Sequence, residues 1–325
     1  MNTGTVLYLN RKDVETVGLS MPEIIDALDS MFKEKGEGRV EMPPKPGIHT
    51  RKDAFIHAMP AYIPSLQSAG IKWVSGYPDN QAKKLPYISG LLILNDPDNG
   101  IPIAVMDATW ITAQRTGAAT AVAAKYLARK DSSSVGILAC GIQGRSNLEA
   151  LSCIFEIEKV KAFDIFPEVA ERFASEMSEA VQVDIEIVED LKEAVVGLDL
   201  VVTSSPILKS PDPVIEAGWL TEGSFASPVD FDSYWKGDAL RQADKLATDD
   251  ISQMEYYRES GGYFKNTPQP YADLGEIVTG RKPGRENANE RTICINLGLA
   301  LDDMATAILI YKKARERGIG TQLPL

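Results

Sequence analysis

Cysteine and histidine are scarce in this chain, three of one and two of the other in 325 residues. Cys140, Cys153 and Cys294 are widely spaced and set in apolar runs, a pattern that suggests neither a disulfide framework nor a zinc site and fits a reducing compartment. His49 and His57 take no assigned role, since a lone strand histidine is more often packed or hydrogen-bonded than catalytic. No HExxH, CxxC, GxSxG or GxxxxGK[ST] pattern occurs, which leaves zincin, thiol-redox, serine-hydrolase and P-loop chemistry without support. No apolar run reaches the length of about 18 residues that a membrane span needs, and no charged-then-apolar leader opens the sequence. Basic residues are outnumbered by acids, 34 to 46, and are scattered, so neither nucleic acid nor an anionic membrane is expected as a partner. The expectation is a cytoplasmic protein that handles a small molecule and binds no metal.

What is present is organised around Ser134 to Leu151. Val135, Ile137 and Leu138 form a short apolar run of the kind buried as a parallel strand, and Arg145 to Leu151 reads as helix. Between them, Ala139-Cys140-Gly141-Ile142-Gln143-Gly144 is a GxGxxG dinucleotide turn whose first glycine is alanine. Gly141 lets backbone N–H groups of Ile142 and Gln143 approach a pyrophosphate at the helix N-terminus, and Gly144 lets helix and strand pack closely. A second strand, Lys161 to Phe163, ends in Asp164, twenty residues past Gly144, where a carboxylate can accept both ribose hydroxyls and repel a 2′-phosphate. NAD(H) is therefore favoured over NADP(H), with NADP(H) left open. The alternative is an ordinary strand-turn-helix followed by a solvated Asp164.

Around this turn the chain shows two patterns. From Ser134 onward strands alternate with helices, at 135–139, 160–164, 183–188, 198–203, 225–229 and 245–247, with a short strand at 292–295. That alternation predicts a Rossmann-type doubly wound parallel sheet whose ligands sit beyond the carboxyl ends of the strands, where Thr203, Ser204 and the 227–232 loop lie. Before it, Ser20-Met21-Pro22-Glu23 is a capping box opening an amphipathic helix that runs to Gly36. Strands at 54–59, 69–75, 89–95 and 101–106 then predict an α+β unit with an antiparallel sheet, Asn99-Gly100 making a tight hairpin between the last two. A helix covers 110–127, and another over 297–317 is placed to return onto the first unit. The expected domains are 1–115 plus 300–325, an α+β unit built from both termini, and 116–299, a dinucleotide-binding unit.

Several side chains outside the turn carry chemistry. Lys72 lies inside an apolar strand, where desolvation would lower its pKa toward neutrality and suit it to proton exchange with an amine, imine or water; otherwise it is a snorkelling lysine at a strand edge. Arg115, early in its helix, could grip a carboxylate, with Lys45 on its proline-rich loop adding charge; otherwise Arg115 is a surface arginine paired with an acid. Asp230 and Asp232 stand at a switch-point loop, where either could act as a base or merely cap the next helix.

The combination resembles the ornithine cyclodeaminase/mu-crystallin family. The carrying residues are Met59-Pro60-Ala61-Tyr62, the stretch Gly70 to Asn80, Asp107, the stretch Thr112 to Ala119 and the 140–144 turn, followed by Asp164, Gly223, Asp232, Leu274-Gly275-Glu276, Gly298 and Asp302. The resemblance implies a homodimer in which the sheet-containing terminal segments pair and build the substrate pocket, with an NAD(P) domain between them in sequence. It implies that Lys72 is the catalytic lysine and Arg115 the carboxylate-binding arginine, and that Asp232 matches the catalytic aspartate of true cyclodeaminases. Lys45 falls where the family often has arginine. Tyr87 stands where cyclodeaminases have threonine, and a bulkier wall argues against the same fit to ornithine. The expected activity is NAD(H)-dependent interconversion of an α-amino acid with its imino or 2-oxo acid. Lys72 and Asp232 are catalytic in this reading, Lys45, Arg115 and Tyr87 bind substrate, and Thr116, Gly141, Ile142, Gln143, Gly144, Asp164, Thr203 and Ser204 bind cofactor. The alternatives are a cyclodeaminase that uses NAD catalytically, and a mu-crystallin-like binding protein without turnover.

Overall fold

In the computed structural model, which describes residues 4–325, the chain divides into two compact units, one of residues up to Arg115 with Leu299–Leu325, the other Thr116–Gly298. The division falls inside the helix Thr109–Leu127.

The terminal unit is built on a seven-stranded sheet. Its order is Thr321–Pro324, Thr5–Leu9, Pro102–Asp107, Ile88–Asn95, Ser68–Gly76, Phe55–Ile63 and Gly47–Ile48. The sheet is mixed rather than wholly antiparallel, because Thr5–Leu9 runs parallel to Pro102–Asp107. Those two strands are far apart in sequence, and the intervening chain supplies the crossover that a parallel pair requires. Period-two burial is clear along the central strands. Met59, Ala61, Ile63, Lys72, Val74, Leu92, Leu94, Ala104 and Met106 are buried on one face, while their neighbours are half-buried or exposed. The helix Ala300–Arg317 covers that inner face, with the Ser68 hydroxyl donating to the Met304 carbonyl at 2.9 Å. The helix Met21–Gly36 packs on it in turn, burying Ile24, Ile25, Leu28, Met31 and Phe32. Its start is the capping box read from sequence, Ser20 N–H donating to Glu23 Oε2 at 3.0 Å.

The Asn99-Gly100 connection is not a two-residue turn. The Asp96 N–H donates to the Ile101 carbonyl, the Gly100 N–H donates to the Asp96 carbonyl, and the Asn99 side-chain amide donates to Asp96 Oδ2. Of the two central residues only Gly100 has positive φ, whereas a type I′ turn needs both. The Asp96 carboxylate, which also accepts the Asp98 N–H, organises the longer loop.

The central unit holds an eight-stranded sheet in the order Ala272–Asp273, Lys245–Thr248, Thr292–Ile295, Phe225–Pro228, Leu200–Thr203, Ser134–Leu138, Lys159–Phe163 and Ile185–Ile187, every pair parallel. Four of these strands, Lys245–Thr248, Thr292–Ile295, Phe225–Pro228 and Leu200–Thr203, are buried along their whole length, as expected of a sheet covered on both faces. Ala272–Asp273, two residues long, has no periodicity from which to be read in advance. Strand order reverses at Ser134–Leu138, with Lys159–Phe163 on one side and Leu200–Thr203 on the other, and this is the switch point of a doubly wound sheet. One core cluster packs Leu138, Val201, Ala226, Ile293, Trp235 and Phe264 together.

Gly117 shows why a glycine sits in the interior of an alanine-rich helix. A Cβ there would overlap the carbonyl of Ser146 in the helix Ile142–Ser152, so the two backbones approach as closely as hydrogen allows. Gly117→Ala would gain about 1 kcal/mol of helix propensity but overpack a contact with rigid backbone, which costs about 1–3 kcal/mol. The expected outcome is a lower urea midpoint than the wild type; a higher midpoint would show the approach to be loose.

Candidate active site

The sequence-predicted residues fall into two groups, one in each unit. In the central unit, the turn from Ala139 to Gly144 joins the strand Ser134–Leu138 to the helix Ile142–Ser152. Ala139 has φ of +72°, the left-handed conformation that the first glycine of such a turn ordinarily supplies. A Cβ at Gly144 would stand 2.7 Å from the Ala139 carbonyl and 3.0 Å from Ile137 Cγ2, so this position needs glycine for packing. Gly141 is the N-cap, carries no capping side chain, and would point a Cβ into open space. The helix N-terminus, with its partial positive charge, is thus left to a ligand rather than to a side-chain cap.

Asp164 follows the strand Lys159–Phe163, and its Oδ2 accepts the Cys140 N–H at 2.8 Å while Oδ1 accepts the Phe166 N–H at 3.0 Å. The carboxylate is thereby fixed against the turn, with acceptor capacity remaining on both oxygens. Ile142, Ile165 and Phe166 are exposed beside it. Burial pushes the Cys140 thiol up to about 12, which holds it in the protonated form. The Ser204 N–H donates to Leu138 and its hydroxyl to Ala139, both carbonyls, which ties the end of the strand Leu200–Thr203 to the turn. Thr116 is buried in its helix, one residue before Gly117. An N-cap without a side chain, a glycine-only helix–strand contact and an anchored acid together fit a dinucleotide. In such a turn the backbone of Gly141, Ile142, Gln143 and Gly144 would meet the pyrophosphate and Asp164 would meet the ribose.

The two aspartates of the 230–232 loop differ. Asp230 is wholly buried and accepts the Thr203 hydroxyl at 2.7 Å and both the N–H and hydroxyl of Ser205 at 2.9 Å. Burial pushes it up to about 6 against these hydrogen bonds. Thr203 also accepts the Trp235 indole N–H at 3.2 Å, so its side chain belongs to this inward network. Asp230 therefore braces the 203–205 loop. Phe231, at φ of +65°, reverses the backbone between the two aspartates. Asp232 instead borders a cavity of about 200 Å³ with Leu208, Pro211, Trp235 and Tyr263, accepts the Thr267 hydroxyl at 3.2 Å, and is raised by burial.

In the terminal unit Lys72 is not at a strand edge. Its strand lies between two others and its side chain is 0% exposed. Lys72 Nζ stands 2.7 Å from Asp303 Oδ2 and donates to Asp303 Oδ1 at 2.8 Å and to the Thr112 hydroxyl at 3.2 Å. Arg115 Nε donates to the same Asp303 Oδ1 at 3.1 Å, and its Nη1 is 3.6 Å from Asp302 Oδ2. Desolvation lowers Lys72 to about 7; Asp303 opposes that shift, while Arg115 and Lys45 add to it. Lys45 is buried on its proline-rich segment. His57, on the neighbouring strand, is held neutral, down to about 3, first by burial and then by the charges of Lys45, His49 and Lys72. Tyr87 is half-buried just before the strand Ile88–Asn95, its carbonyl accepting the Tyr77 N–H at 2.9 Å.

Sequence reading missed Asp303. The available signal was a pair of acids, Asp302-Asp303, in the first turn of a helix whose next residues are apolar, since carboxylates are buried only when paired. Among the described residues no group of His, Cys, Asp or Glu could hold a metal ion, and no helix is long and apolar enough to cross a membrane.

The profile of the ornithine cyclodeaminase/mu-crystallin family matches residues 6–318. The chain belongs to that family. It is 36% identical to the alanine dehydrogenase of Archaeoglobus fulgidus over 327 residues, covering 98% of each chain. The structure of Thermococcus litoralis Δ1-pyrroline-2-carboxylate reductase in complex with NADH and L-proline superposes with a TM-score of 0.88 at 36% identity, covering 98% of this chain and 100% of that one. An archaeal alanine dehydrogenase dimer with bound NAD gives 0.87 at 34% identity, with 98% and 99% covered.

The anchored acid predicts cofactor choice. Asp164→Ser combined with Ile165→Arg would replace a repelling carboxylate with a guanidinium able to pair a 2′-phosphate. Fluorescence titration should show NADPH binding strengthened by about tenfold or more relative to NADH. An unchanged ratio would remove Asp164 from the ribose site.

Proposed function

We propose that this protein is an NAD(H)-dependent oxidoreductase that interconverts an α-amino acid with its imino or 2-oxo acid. The observation that carries the reading is a wholly buried lysine near neutral pKa beside a buried arginine, in a chain whose other unit has an anchored dinucleotide turn. Similarity over the full chain to an alanine dehydrogenase and to a pyrroline-2-carboxylate reductase solved with NADH supports it. Residues 1–115 with 300–325 form the substrate-binding and dimerisation domain, and 116–299 the NAD-binding domain.

When bound, NAD(H) supplies hydride to the α-carbon in one direction and accepts it in the other. Arg115, with Lys45, holds the substrate carboxylate; a guanidinium fixed at Nε presents its remaining edge in one orientation, which lowers the entropic part of the barrier. Lys72 gives a proton to the imine nitrogen in reduction and takes one from the amine in oxidation, a task that favours a pKa near the working pH. Asp232 orients the attacking water or amine, and Tyr87 forms part of the side-chain pocket. Thr203 and Ser204, on the braced loop, and Thr116 would help to hold the cofactor.

The outer face of the seven-stranded sheet supports a homodimer. Lys72 points inward, so Trp73 points out, where it is 49% exposed and in register with Leu91 at 48%. Ile71, Ile93 and Val105 extend the apolar patch. Trp73→Glu with Leu91→Lys should convert a dimer to a monomer in sedimentation velocity; a dimer that survives both charges would place the interface elsewhere.

The activity test is NADH oxidation with ammonium or a primary amine and a panel of 2-oxo acids and cyclic imines, beside NAD reduction with free amino acids. A stoichiometric signal is expected from one member. Ammonia released from a diamino acid without net NADH change would instead assign the cyclodeaminase reaction. Lys72→Ala should lower kcat by at least about 100-fold, the scale of a lost proton carrier, while NADH binding stays near wild type. Reduction needs protonated Lys72 and should slow as pH rises through about 7, whereas oxidation should quicken across the same interval.

A further inference from the structure

Asp303 is in contact with two buried cations at once. One oxygen, Oδ1, accepts from Lys72 Nζ at 2.8 Å and from Arg115 Nε at 3.1 Å, while Oδ2 stands 2.7 Å from the same ammonium. Its neighbour Asp302 is used differently, with Oδ2 accepting the Leu299 N–H at 2.9 Å as part of the helix start and lying 3.6 Å from Arg115. The three side chains of the bridge come from a strand, Ser68–Gly76, and two helices, Thr109–Leu127 and Ala300–Arg317. Lys72 and Asp303 are fully buried and Arg115 nearly so.

We propose that Asp303 is the positioning residue shared by the catalytic lysine and the carboxylate-binding arginine, setting the distance between them and supplying the counter-charge that lets Lys72 carry a proton. This rests on the roles assigned to Lys72 and Arg115 above. The geometric argument is that a substrate bearing a carboxylate one carbon from its reacting nitrogen presents a fixed spacing. Two flexible side chains reach that spacing only if something common to both restrains them. A single carboxylate oxygen bound to both does so. The electrostatic argument is that every other charged group facing Lys72 is a cation or is balanced elsewhere. Arg115 and Lys45 disfavour the ammonium, His57 is neutral and Asp302 is engaged with Arg115 and the helix start. Thr112 contributes only a hydroxyl. Asp303 is thus the group that sustains the charge on Lys72.

The test uses the full-length protein with ¹³C- and ¹⁵N-labelled lysine, the Lys72 signal being assigned by its loss in Lys72→Met. In Asp303→Asn the NMR titration midpoint of Lys72 should fall by about one to three pH units, the range for losing one adjacent opposite charge. The pH limb of amino-acid oxidation should move with it, and KM for the amino acid should rise by about tenfold or more as Arg115 loses its restraint. Asp303→Glu keeps the charge and changes the reach: its midpoint should stay within about half a unit of wild type while KM still rises, and it decides the matter if Asp303→Asn does not fold. A wild-type midpoint in Asp303→Asn, or unchanged KM in Asp303→Glu, would make Asp303 a structural acid and overturn the proposal. Failure of the underlying reading looks different: Lys72→Ala would then retain turnover, while the lysine titration in the Asp303 variants still reports the bridge.

Discussion

A fully buried lysine held against a buried carboxylate is the constraint on which the terminal unit depends. An ammonium buried in this way carries a desolvation cost that only a close, well-aligned counter-ion offsets, and removal of one partner of such a pair destabilises by about 3–5 kcal/mol. The sheet provides the lysine and the helix Ala300–Arg317 provides the acid, so the helix must lie on the inner face of the strand Ser68–Gly76 in one register. Fully apolar side chains there would pack at least as well. Stability alone therefore does not account for the charges at this position.

The dinucleotide turn is governed by the opposite logic, the removal of side chains. Gly144 and Gly117 each allow two backbones to meet, and Gly141 leaves a helix end open. Ala139 departs from this pattern by carrying a methyl group into a left-handed conformation, a strain of about 1–2 kcal/mol. The hydrogen bonds from Ser204 to Ala139 and from Cys140 to Asp164 hold the turn there. The strain is sustained by the strands on either side.

Local features were legible in the sequence, and features that depend on distant residues were not. The turn, the acid after the second strand and the capping box at Ser20 all announce themselves within a few residues, and each has the predicted backbone setting. Lys72 could be seen in an apolar strand, but a strand interior and a strand edge read alike until the neighbours are known. Its partner lies 231 residues away, beyond any periodicity. The Asn99-Gly100 hairpin misled because Asp96, outside the dipeptide, builds a longer loop. Asp230 and Asp232 were interchangeable as letters, and the reversed backbone at Phe231 separates them.

Asp303 lies 231 residues after Lys72, with the whole central unit between them in sequence, and this order governs biosynthesis. The ribosome delivers Lys72 and most of the seven-stranded sheet long before it delivers the helix Ala300–Arg317 and the strand Thr321–Pro324, which closes the sheet against Thr5–Leu9. The central unit, contiguous from Thr116 to Gly298, is complete by then. Domains fold as their residues emerge, so the terminal unit waits with an uncovered apolar face and a lysine lacking its counter-ion. Its closure is a long-range event of high contact order that falls late in folding. The Lys72–Asp303 pair therefore forms only after the whole central unit has been made.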